Sequence, residues 1–71
     1  MNSEQTELLR QAILLQLEAA DPASLTVAAL RQGVKLAGHD VPTTQILKEI
    51  SYLQGKNLLC EIQKQIKKLK D

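Results

Sequence analysis

The sequence predicts a mainly α fold with a small β component: three helices around one aliphatic core, then a short extended segment. Three observations carry this. Apolar residues recur at spacings of three and four in three separate runs. Two breaks, "AADPAS" and "AGHDVP", divide those runs. After Gly55 and Asn57 the pattern turns to alternation, "LLCEIQ". The 71-residue chain is expected to form a single domain over 1–71, close to the lower limit for a self-sufficient core. Its apolar content of 44% argues against disorder, and with Tyr52 as the only aromatic residue the core must be aliphatic.

Asn2 or Ser3 can cap the first helix, with Glu4 and Glu7 near its positive end. Leu8, Leu9, Ala12, Ile13, Leu15 and Leu17 give that helix a wide apolar face, suited to more than one neighbour. It ends at "AADPAS", because Pro22 disfavours a helical Asp21. Leu25 makes a brief edge strand or a buried anchor. Thr26 is the expected N-cap of a second helix, whose Val27, Leu30, Val34 and Ala37 share one face. Gly33 inside it costs about 1 kcal/mol relative to alanine and marks a place where another helix comes close. Gly38 suits the C′ position.

In the turn "HDVP", Val41 is expected to plug the core and Pro42 to precede the third helix, where its missing N–H does no harm. Ile46, Leu47, Ile50 and Leu53 are the expected buried stripe of that helix. Thr43, Thr44, Gln45, Lys48, Glu49 and Tyr52 are expected outside. Gly55 and Asn57 offer left-handed caps. Residues 58–63 are expected to be extended and to pair with the segment around Leu25 or with residues 65–69. The competing pattern is Leu59, Ile62, Ile66 and Leu69 at helical spacing, with lysines opposite.

Helix, short β or turn, helix, tight turn, helix, strand is an order that resembles the winged helix-turn-helix superfamily. "AGHDVPTTQILKEISYL" looks like a turn and recognition helix. "YLQGKNLLCEI" resembles the end of such a helix, with Leu53, Gly55, Leu58 and Leu59 at the family's positions. The chain is similar to small winged-helix proteins of Mu-like prophages. The resemblance covers residues 6–63, the expected core, and leaves 64–71 as a basic segment. It implies a three-helix helix-turn-helix core with a short or truncated wing. "QKQIKKLKD" has no glycine or asparagine for a tight hairpin, so the wing is very short, formed without the usual turn residues, or absent.

The implied function is a DNA-binding module, a transcriptional regulator of phage or bacterial origin. Thr43, Thr44, Gln45 and Lys48 would then face the major groove at the start of the third helix. Lys64, Lys67 and Lys68, with Lys70, would meet phosphates. Double-stranded DNA is the expected partner, and a homodimer follows because one small module with few cations binds weakly alone. The competing reading is a protein-interaction module on the same scaffold, with a solvated helix face and a solvated lysine tail. Glu49 and the single lysine of the third helix favour the second reading. The charge distribution favours the first: residues 1–40 carry three basic against five acidic residues, residues 41–71 six against three. Arg31 and Lys35 either contact a nucleic-acid backbone or coat the surface.

No enzyme is expected, since no nucleophile, acid–base pair or phosphate loop stands out. No cofactor, metal or small-molecule substrate is expected. His39 has only Asp40 beside it, too few ligands for zinc. Cys60, the sole cysteine, reads as a small buried hydrophobe, and an intrachain disulfide is impossible. No apolar run approaches the ~20 residues of a membrane span, and the polar start is unlike a signal peptide; a cytoplasmic location is the expectation.

Overall fold

The computed structural model describes residues 3–69. Its elements run α1 (Ser3–Ala20), β1 (Leu25–Thr26), α2 (Val27–Leu36), α3 (Thr43–Gly55), β2 (Leu59–Ile62) and β3 (Gln65–Lys68). The fold is therefore mainly α with a small antiparallel sheet, ordered β1-β3-β2. No described helix is long and apolar enough to cross a membrane.

Local sequence explains where the helices begin and end. α1 starts at Ser3; the capping expectation for Asn2 lies outside the described residues. Thr26 caps α2, its side-chain oxygen accepting from the Ala29 N–H at 3.1 Å. Both later helices close in the same way. At the end of α2, Gly38 N–H donates to Lys35 C=O and His39 N–H to Val34 C=O. At the end of α3, Asn57 N–H donates to Gln54 C=O and Leu58 N–H to Leu53 C=O. These paired bonds need a left-handed residue at C′, and Gly38 (φ 102°) and Asn57 (φ 60°) supply it.

The core is aliphatic. Leu9, Ala12, Ile13 and Leu17 of α1 meet Leu30 and Val34 of α2, Ile46, Ile50 and Leu53 of α3, and Leu59 and Ile66 of the hairpin. Leu14, Leu25, Val27 and Val41 pack at its margin. Ile66 is buried although it stands in the basic segment. Gly33 is where α1 comes close: a Cβ there would lie 2.5 Å from the Gln16 side-chain oxygen.

Several expected placements are corrected. Leu8 and Leu15 are exposed, because α2, α3 and β3 cover only the side of α1 that bears Leu9, Ile13 and Leu17. Ala37 is exposed too, being the C-cap where the chain turns away. On α3, Leu47 is exposed and Glu49 is buried, the reverse of expectation. The helix phase explains it. At 100° per residue, Glu49 lies roughly 67° from the mean direction of Ile46, Ile50 and Leu53, and Leu47 roughly 93°. The polar residue is the nearer of the two to the core, and its burial is satisfied by partners described below.

Residues 59–62 are extended and pair with 65–68, in the register Leu59↔Lys68 to Ile62↔Gln65. The segment around Leu25 pairs with β3 and not with β2: Leu25 lies opposite Ile66 and Thr26 opposite Gln65. The hairpin closes without the usual turn residues. Gln63 (φ 50°) and Lys64 (φ 66°) both adopt left-handed backbone, the geometry of a two-residue type I′ turn. Neither residue favours that region. Replacing the pair by Asn-Gly is expected to raise stability by about 0.5–1 kcal/mol; a fall in the urea midpoint would refute the turn assignment.

Candidate nucleic-acid interface

The start of α3 is the candidate surface. Pro42 precedes the helix with an extended backbone (φ −71°, ψ 161°) and caps it without a side-chain bond. Thr43 and Thr44 are exposed in the first turn, and Lys48 is exposed one turn further on. Leu47 and Ser51 complete the outward face. Arg31 of α2 donates to the Val41 carbonyl at 3.0 Å and so anchors the turn between the helices; that is a structural use for a residue read as a surface or backbone contact.

Gln45 lies at the flank of this face, partly buried, in a small polar network. The Gln45 side-chain amide donates to Glu49 Oε2 at 2.5 Å. Arg10 Nε donates to Glu49 Oε1 at 2.6 Å. The Arg10 guanidinium also lies over the Tyr52 ring, 3.6 Å from its centroid, with Lys56 Nζ at 5.6 Å from the same ring. Both carboxylate oxygens of Glu49 are thus satisfied by charged or polar donors, which is what a buried carboxylate requires. Arg10 keeps a quarter of its side chain exposed while Glu49 keeps 2%. Sequence reading missed this network. The signal was present: Ile46, Glu49, Ile50 and Leu53 follow the three–four spacing of a buried stripe.

The lysines do not form one cluster. Lys64 is exposed at the tip of the hairpin turn. Lys67 and Lys68 are neighbours on β3, so their side chains leave opposite faces of the sheet. Lys68 reaches Glu18 of α1, Nζ to Oε2 3.6 Å, an exposed pair of little stabilising value. Lys70 lies outside the described residues. His39 and Asp40 line an open groove of about 440 Å³ with Leu8, Leu9 and Val41. Among the described residues no group of three or more His, Cys, Asp or Glu gathers as a metal site.

The chain matches no family model, and no curated protein or solved structure shows significant similarity to it.

Proposed function

We propose that the protein is a DNA-binding module of winged helix-turn-helix type, with α3 as its reading helix and the β2–β3 hairpin as a short wing. One observation carries this reading. Glu49, the only acid of α3, is withdrawn into the core and neutralised by Arg10. The outward face of α3 therefore presents Thr43, Thr44 and Lys48 with no negative charge to repel phosphates. Gln45 enters such a site already oriented, since Glu49 holds its amide. Lys64 at the hairpin tip is the wing's phosphate contact, and Lys67 lies further along β3, opposite Cys60. A role in transcriptional regulation, in a phage or bacterial setting, follows from the same reading.

Phosphate and base contacts predict different mutant behaviour. Lys48→Ala and Lys64→Ala should weaken binding to all duplexes alike, and each should lower the salt slope by roughly one unit. Gln45→Ala should instead relax preference at one base pair, a discrimination of ~1–3 kcal/mol. Fluorescence anisotropy with random and selected duplexes at ~50 mM and ~200 mM salt reads both effects. No binding at the lower salt with protein at ~100 μM, the weak end of non-specific affinity, rejects the proposal.

A second reading, a protein-interaction module on the same scaffold, is favoured by Leu47, 48% exposed in the middle of the outward face of α3, and by Leu36, 81% exposed on α2. The absence of DNA binding would leave these two leucines as the residues to test.

A further inference from the structure

The hairpin has two faces of unlike use. Leu59 and Ile66 point inward and are buried. Alternation puts Leu58, Cys60 and Ile62 on the opposite face. Leu69 joins them, because its N–H donates to the Leu58 carbonyl at 3.0 Å, one step beyond the paired register. Leu58 is 38% exposed, Leu69 38% and Ile62 55%. An apolar strip thus runs along β2 on the solvent side of the sheet.

β2 is also an end strand. The bond from Leu69 shows that the Leu58 carbonyl points toward β3, and by alternation so do the N–H and C=O groups of Cys60 and Ile62. The N–H and C=O groups of Leu59 and Glu61 therefore point away from β3, where no strand pairs with them among the described residues. The strand "LCEI" has no lysine, proline or bulge to blunt such an edge; its one charge is Glu61.

We infer that the free edge of β2 is a homodimer interface, where β2 of a second copy adds antiparallel about a two-fold axis through Cys60 to make a six-stranded sheet. A two-fold axis generates antiparallel strands and a self-complementary contact. Hydrogen-bond direction and charge together select the register. Centring on Cys60 sets Leu59 opposite Glu61 of the second copy, twice, and uses all four outward N–H and C=O groups of each strand. Centring on Glu61 would set that carboxylate against itself, and like charges directly opposite are destabilising. In the Cys60 register each Glu61 instead faces Leu59 of the other copy, so the two carboxylates are kept apart. Leu58 of each copy falls opposite Ile62 of the other, so the two apolar strips merge. Cys60 meets its counterpart as a non-hydrogen-bonded pair, with Cα atoms about 4.5 Å apart, inside the span a disulfide accepts.

The test is sedimentation of the reduced protein with concentration, together with thiol cross-linking. The wild-type protein should pass from monomer to dimer below ~500 μM, the range of weak association. Glu61→Pro removes one outward N–H from each copy and leaves the β3 side intact; it should raise the dimer dissociation constant at least about tenfold through two lost ladder bonds. Ile62→Lys, at an exposed side chain, should do the same without touching the backbone, and covers the case that the proline variant does not fold. Diamide, which takes two protons and two electrons from a pair of thiols, should link Cys60 to Cys60 much faster in the native dimer than in guanidinium-unfolded protein at equal concentration. A wild-type protein that stays monomeric overturns the inference. So does a dimer untouched by Ile62→Lys, or one whose Cys60 links no faster than in the unfolded chain. None of these outcomes depends on DNA binding.

Discussion

Arg10→Ala is expected to cost about 3–5 kcal/mol, the cost of leaving a buried charge without its counter-ion. A domain of this size has roughly 4–10 kcal/mol of stability in total, so the variant should be largely unfolded or close to it. The reason is the asymmetry of the pair. Glu49 is almost wholly buried, and without Arg10 it retains only the Gln45 amide. Arg10 has a quarter of its side chain in water and the face of Tyr52 as a second neighbour. Glu49→Leu should therefore be mild, within about 1 kcal/mol, because the guanidinium left behind can hydrate and a buried pair replaced by an apolar group is often neutral. Arg10→Ala/Glu49→Leu should recover most of the loss from Arg10→Ala. Urea unfolding followed by circular dichroism measures all three. A loss below about 1 kcal/mol for Arg10→Ala would mean that water reaches Glu49.

Ile50→Ala and Ile46→Ala should each cost about 2–5 kcal/mol, the transfer term plus the cavity left in a core that cannot fully collapse. Both side chains are buried on the face of α3 that meets α1 and α2. Leu47→Ala, one residue from Ile46, should stay within about 0.5 kcal/mol as a surface change. The contrast tests the phase of α3 directly. Similar losses at Leu47 and Ile46 would show that the helix is rotated from the orientation described, and Glu49 would then face solvent.

The helix ends were legible because their causes are local. Thr26 caps the residue three positions on, and Gly38 and Asn57 occupy left-handed positions that most residues avoid. The stripe Ile46, Ile50 and Leu53 was legible for the same reason, since one helical turn brings these residues together whatever the rest of the chain does. An extended segment after Asn57 was legible from alternation and from the break before it. Of the candidate surface, the exposure of Thr43, Thr44 and Lys48 could be read from helix phase.

Tertiary structure alone decided the rest. Whether Glu49 or Leu47 enters the core depends on a partner 39 positions away: polarity argued for Glu49 outside, and Arg10 reversed it by meeting the carboxylate in the interior. Gln45 became a held residue by the same event. Residues 58–63 could pair with the segment around Leu25 or with residues 65–69 by pattern; β2 pairs with β3, and β3 takes Leu25 on its other side. Gln63 and Lys64 carry no turn signal; the pairing of Leu59–Ile62 with Gln65–Lys68 holds them in left-handed backbone. Sequence determined the elements and their ends, which rest on interactions within about one turn of helix. The fold determined which faces are covered, because burial and strand pairing join residues far apart in the chain.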